Sequence, residues 1–318
     1  MIDALLLVAG LALLLKGADF LVAGASEVAE SLGISHLVIG LTVVSFGTSM
    51  PEVVVTLFSG IQGHPDLAIG NILGSNIANI LLVLGIAAII RPLPVSDSTV
   101  VSEIPFSLTA ALLVGFLANA ALFSAYPDLS ISHTDGAILL LFFFLFIIYI
   151  YNISRGTSAA SVGHAQRRPL MKPVAILLLG MAGLYLGGQW VVDSAVSIAR
   201  TVGISDSLIG LTIVAIGTSL PELMASAVAA YRNQPDIAVG NVVGSNIFNL
   251  LWVLGITALV IELPFEIVSN ADLAMVIIAS TLLLLALVSS RKTCVLRIHG
   301  VIFVLTYGAY LGYLIRRG

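Results

Sequence analysis

The sequence predicts an all-α polytopic membrane protein whose ten transmembrane helices form two inverted five-helix repeats. Three observations carry this: the composition, the lengths of the apolar runs, and an internal repeat at a fixed offset. Of the 318 residues, 59% are apolar and 9% charged, with a mean hydropathy of +1.12. A soluble domain is nearer roughly 45–50% apolar and about 25% charged. A soluble fold of this length has too little interior to hide so much apolar surface. This excludes an ordinary soluble enzyme and a disordered chain. A net charge of −4 and a pI near 5.7 exclude a nucleic-acid binder. One cysteine, Cys294, excludes an internal disulfide framework and a cysteine-built metal site. The apolar runs are too continuous for the alternation of a membrane β-barrel.

Crossing about 30 Å of hydrocarbon takes roughly 20 apolar residues in a helix. Apolar runs between polar, Pro or Gly breaks give ten candidate spans: 3–25, 34–61, 66–90, 103–122, 135–152, 173–199, 204–230, 236–260, 270–289 and 296–315. The first lacks a basic n-region and a small-residue cleavage site, so it is read as a span and not as a signal peptide. With ten spans both termini share one side. That side collects Arg200, Arg316 and Arg317, whereas the other collects nine basic residues, including Arg155, Arg167, Arg168 and Lys172. The positive-inside rule then places both termini outside and the 153–172 loop in the cytoplasm. The expected organisation is a first repeat at 1–152, a cytoplasmic linker at 153–172 and an inverted second repeat at 173–318.

Residues 33–86 and 203–256 align without a gap at an offset of 170, with 28 identities over 54 positions. GTSxPE and GNxxGSNIxN recur in both copies. Five spans separate equivalent positions, and because five is odd the second copy is upside down. Inverted repeats are a hallmark of secondary transporters, whose substrates bind near the midplane at the repeat interface.

Two acids, Glu52 and Glu222, lie deep inside spans two and seven at equivalent positions. A charge at a helix centre costs about 2.5–3.5 kcal/mol on insertion scales. No Lys or Arg lies at matching depth in spans two, three, seven or eight, so the natural partner is a cation arriving from outside. Thr48 and Glu52 stand at i and i+4, on one helix face, flanked by Ser45 and Ser49. Pro51 is expected to kink the helix and leave carbonyls in the 45–48 stretch free. Span seven repeats this with Ala215, Gly217, Thr218, Ser219, Pro221 and Glu222. Spans three and eight add the stripes Asn71, Ser75, Asn79 and Asn241, Ser245, Asn249, each on one face. Gly70, Gly74, Gly240 and Gly244 are spaced for close helix contact. The inventory is carboxylate, hydroxyl, amide and backbone oxygen, which points to a hard cation. Calcium, taking 6–8 oxygens at about 2.3–2.6 Å, suits it better than magnesium, and sodium uses the same oxygens. Asp19 and Asp193 are not repeat-equivalent and are read as structural.

The motifs GTSMPE at 47–52 and GSNIAN at 74–79, with GTSLPE at 217–222 and GSNIFN at 244–249, resemble the two α-repeats of the sodium/calcium exchangers, within the cation/calcium antiporter superfamily. The chain looks most like the short prokaryotic members. The resemblance implies that Glu52 and Glu222 bridge a calcium site and neighbouring sodium sites. It implies further oxygens from Thr48, Ser49, Thr218, Ser219, Ser75, Asn79, Ser245 and Asn249, and backbone carbonyls at Ser45 and Ala215. It also implies alternating access in which the first and sixth helices slide across the core. Many members carry Asp where this chain has Asn249, a departure that bears on ion stoichiometry and on potassium dependence.

The function expected is therefore calcium:sodium antiport in the inner membrane of a prokaryote, with calcium and sodium ions and membrane lipid as partners. No enzyme activity, cofactor, nucleic acid or protein partner is implied. Calcium/proton antiport and potassium-dependent sodium/calcium exchange on the same fold are the alternatives, and a cation channel is a third.

Overall fold

A mostly apolar, proline-free sequence gives α1 (Ile2–Leu32) as one long helix. It stops at Gly33, whose φ of +67° only glycine adopts freely. Ser35 caps the next helix, its hydroxyl accepting the Val38 N–H at 3.3 Å. This helix, α2 (His36–Thr48), contains a π-helical stretch at Gly40–Val44 and breaks at Ser49. The chain resumes as α3 (Met50–Ile61), bent 47° from α2. Pro51 thus occupies the first turn of a new helix, where its missing N–H leaves no bond unmade. Gly63, with φ +82°, turns the chain, and Pro65 opens α4 (Pro65–Ile90). The second copy repeats the device. After α7 (Met171–Thr201) come α8 (Ala215–Thr218) and α9 (Leu220–Tyr231), broken at Ser219. Asn233 takes the place of Gly63 with φ +62°, and Pro235 opens α10 (Pro235–Val260).

The remaining elements are β1 (Leu93–Pro94), α5 (Glu103–Ala118), β2 (Ser130–Ile131), α6 (His133–Ser161), β3 (Leu263–Pro264), α11 (Ser269–Ser289), β4 (Cys294–Val295) and α12 (Arg297–Arg317). The structure, a computed structural model, describes residues 2–96, 102–123, 129–161, 169–201, 215–290 and 293–317. Among these residues seven helices are long and apolar enough to cross a membrane, or eight if α2 and α3 count as one bent span. The fourth expected span is α5, which is shorter than expected. Part of the seventh, 204–214, lies outside the described residues. The 153–172 connection is helical as far as Ser161, because α6 continues beyond its expected end at 152.

The helices are layered around α4 and α10, whose apolar windows are 78% and 83% buried, against 22% for α6 and for α12. The halves interlock. In the first half, α4 packs on α12; in the second, α10 packs on α6. β1 pairs antiparallel with β4, and β3 with β2. The α1/α7 pair makes the most extensive helix contact of all. Its backbones touch where glycines face each other. A Cβ at Gly17 would lie 2.7 Å from the Leu184 nitrogen.

One polar clamp lies away from the centre. Arg317 closes on Asp272 with two hydrogen bonds of 2.9 and 3.0 Å, Tyr310 donates to the same carboxylate at 2.8 Å, and the guanidinium lies over the Tyr313 ring. The pair ties the first turn of α11 to the last turn of α12. It is partly exposed, between a surface bridge and a buried one. Asp272→Asn is therefore expected to cost about 1–3 kcal/mol. The check is a lower melting temperature in detergent with calcium affinity unchanged.

Candidate cation-binding site

The breaks at Ser49 and Ser219 place Glu52 and Glu222 in the first turns of α3 and α9, where the helix dipole favours a negative charge. Both side chains are fully buried, at 0% exposure. Ser49 donates to Glu222 Oε1 at 2.8 Å, which brings the two GTSxPE motifs together across the repeat interface.

Amides lock the broken helices to their neighbours in the same way in both halves. Asn71 on α4 donates to Thr56 Oγ1 at 2.9 Å and reaches the Glu52 carbonyl at 3.5 Å. Asn241 on α10 donates to Ser226 Oγ at 2.9 Å and reaches the Glu222 carbonyl at 3.4 Å. Between the halves, Asn249 donates to Ser75 Oγ at 3.2 Å, Asn79 to Asn246 Oδ1 at 3.1 Å, and Asn246 to the Asn76 carbonyl at 3.3 Å. Asn79 and Asn249 sit in the π-helical stretches Asn79–Leu84 and Phe248–Val253. Such local unwinding is frequent at functional sites.

Hydrogen bonds thus cross between the repeats at Ser49–Glu222, Thr48–Asn241, Asn249–Ser75 and Asn79–Asn246, while Glu52 is buried and, among the described residues, held only through its backbone carbonyl. Thr48 lies 3.0 Å from Asn241 Oδ1. Ser45 is a departure from expectation. Its carbonyl already accepts the Ser49 N–H at 3.0 Å and lies 3.3 Å from Thr48 Oγ1, so it is not the free carbonyl anticipated in the 45–48 stretch. The reason is that the helix breaks one residue later, at Ser49, and its last turn keeps this bond. In the second copy the Ser219 N–H bonds Ile216 at 3.1 Å and leaves the Ala215 carbonyl aside. Thr56 and Ser226 were not singled out from the sequence. They stand four residues beyond each Glu, on the same face and at equivalent repeat positions.

Several buried oxygens here have no hydrogen-bond partner among the described residues: both of Glu52, Glu222 Oε2, Asn79 Oδ1, Asn249 Oδ1, Asn76 Oδ1, Thr218 Oγ1, Ser219 Oγ and Ser245 Oγ. Buried polar groups are normally paired, and an unpaired carboxylate is the most costly to bury. Carboxylate, hydroxyl and amide oxygens are the donor set of a hard cation.

A multi-spanning helical protein with paired carboxylates and neutral oxygens at its centre is built to handle cations inside a membrane. The chain belongs to the sodium/calcium exchanger protein family, whose profile matches residues 2–152 and 172–316. It is 33% identical over 342 residues to the sodium/calcium exchanger MaX1 of Methanosarcina acetivorans, covering 98% of this chain and 97% of that one. It is 40% identical over 264 residues to the inner membrane protein YrbG of Escherichia coli, covering 80% and 79% of the two chains. Among solved structures it is similar to the sodium-calcium exchanger NCX_Mj soaked with 10 mM Na+ and zero Ca2+, with a TM-score of 0.81, 34% identity and 98% of both chains covered.

Proposed function

We propose that this chain exchanges sodium for calcium across the membrane by alternating access, with both ions competing for the oxygens around Glu52 and Glu222. The observation that carries the reading is the set of buried oxygens from both repeats, unpaired among the described residues, on the helices that carry Glu52 and Glu222 and on α4 and α10 bonded to them. Glu52 and Glu222 supply the two charges that balance calcium. Thr218, Ser219, Ser245, Asn79 and Asn249 supply neutral oxygens, and the Ala215 carbonyl joins them. Thr48, Ser49 and Ser75, now engaged in hydrogen bonds, exchange those partners for an ion, and the Ser45 carbonyl contributes once its helix turn loosens. Ten spans in two inverted halves, 1–152 and 173–318, support the two-sided mechanism. The equivalent breaks at Ser49 and Ser219 and the interlocked helix pairs favour that arrangement. The distribution of Lys and Arg places both termini outside and the 153–172 loop in the cytoplasm of a prokaryotic inner membrane.

Counterflow is the test. Sodium loaded inside proteoliposomes is expected to accelerate uptake of external radioactive calcium, and dissipating the sodium gradient to stop it. Calcium uptake driven by a pH gradient in the absence of sodium would overturn the sodium coupling.

A further inference from the structure

The α1/α7 pair is antiparallel: Gly10 faces Gly187 and Trp190, Gly17 faces Gly180, and Gly24 faces Leu177. Asp193 on α7 therefore lies toward the end of the bundle where α1 begins. A cavity of about 210 Å³ opens there between α7 and the broken helices. Gln189 and Asp193 line it on α7, with Pro51 and Val54 from α3 and Thr218 and Pro221 opposite. Asp193 is exposed, is the one charged side chain among the lining residues, and is in no ion pair among the described residues. The cavity reaches Thr218, whose hydroxyl oxygen is buried and unpartnered, and Ser219 and Glu222 follow along the chain. Several waters at about 30 Å³ each fit this space.

The other half has the corresponding passage closed. Adding 170 maps Asp19 to Gln189, Thr48 to Thr218, and Gln62 to Arg232. Val22, the counterpart of the partly exposed Val192, is fully buried. Thr48 is buried and bonded to Asn241, and Asp19 is neutralised by an ion pair with Arg232. Asp19 is thus ion-paired on the shut side, whereas Asp193, which is not its repeat counterpart, is beside the cavity in no ion pair among the described residues.

We propose that Asp193 is the cation-recruiting carboxylate of an access vestibule, drawing hydrated sodium and calcium from solution toward Thr218 and Glu222. The proposal rests on the reading of Glu52 and Glu222 as the transport site. A carboxylate at the mouth of a low-dielectric cleft raises the local cation concentration and on-rate, and the effect fades with ionic strength. Asp193 is a positioning residue, because it touches the ion only in passage.

The test is the initial rate of sodium-driven calcium uptake against external calcium, in proteoliposomes holding the protein in both orientations. Asp193→Asn is expected to raise KM roughly three- to ten-fold at low ionic strength with maximal flux unchanged, and the difference should vanish in high choline chloride. Asp193→Glu should restore the wild-type KM. Gln189→Glu adds an acid to the same wall and should lower KM, which no folding defect would mimic. A wild-type KM and salt profile in both Asp193→Asn and Gln189→Glu overturns the proposal. So does loss of maximal flux in Asp193→Asn, which would put the residue in the transport site itself. If Glu52→Gln and Glu222→Gln both transport normally, the site reading has failed. If Glu222→Gln is dead while the vestibule variants behave as wild type, only this inference has.

Discussion

Glu52→Gln and Glu222→Gln are each expected to abolish sodium-driven calcium uptake. The substitution keeps shape and size but removes one of two fully buried charges that would face a divalent cation. By analogy with breaking a buried charge pair, the loss is about 3–5 kcal/mol, or roughly two to three and a half orders of magnitude in affinity. Radioactive calcium uptake by sodium-loaded proteoliposomes measures it, and normal uptake in both variants would remove the site assignment. A second readout runs in the opposite direction. Both Glu52 oxygens are buried with no partner among the described residues. A neutral amide avoids burying that charge, so Glu52→Gln without ions should melt at a higher temperature than the wild-type protein. Added calcium should then stabilise the wild type by mass action and leave the variant unmoved. Higher ion-free stability together with lost calcium response distinguishes a site carboxylate from a packing residue, whose loss lowers stability.

Much of this was legible in the sequence, for a physical reason. A carboxylate inside a span has no cheap structural use, so Glu52 and Glu222 stand out, and duplication at one offset multiplies the signal. Pro51 and Pro221 announced breaks in both helices. The break itself fell at Ser49 and Ser219, because proline is better accommodated in the first turn after a break than inside a kinked helix. Thr56 and Ser226 were not legible. Hydroxyls in apolar helices commonly bond back to their own carbonyls, as Thr257 and Thr281 do here at 2.8 and 2.7 Å. Nothing local separates them from a threonine that holds Asn71. The π-helical stretches were equally silent, since helices buried on nearly all sides show no apolar phase from which a local change of pitch could be read. Nor can a symmetric repeat report an asymmetric state. Ser49 and Ser219 occupy the same motif position, yet Ser49 bonds a carboxylate while Ser219 Oγ has no partner. The same difference separates Thr48 from Thr218. It belongs to one conformation of the molecule and not to its sequence.

Gly180→Leu is expected to be the most damaging substitution outside the site. A Cβ at Gly180 would lie 2.3 Å from the Leu21 nitrogen and 2.7 Å from its Cα, both backbone atoms that cannot rotate away. Helices in a membrane gain little from burying apolar surface against each other, so backbone contact between small residues carries their association. α1 and α7 depend on it along their length, at Gly10, Gly17 and Gly24 on one side and Gly180 and Gly187 on the other. Leucine must push the pair apart by more than an ångström, which moves Gly188 and Asp193 away from α3 and disturbs the vestibule wall. The expected result is loss of monodisperse protein in detergent or, where protein is recovered, transport below about one tenth of wild type, in line with the few kcal/mol that overpacking costs. Gly308→Leu provides the control, because a Cβ there meets nothing within 4 Å. Normal expression and transport in Gly180→Leu would mean that α1 and α7 are not packed by backbone contact, and the placement of Asp193 opposite α3 would fall with it.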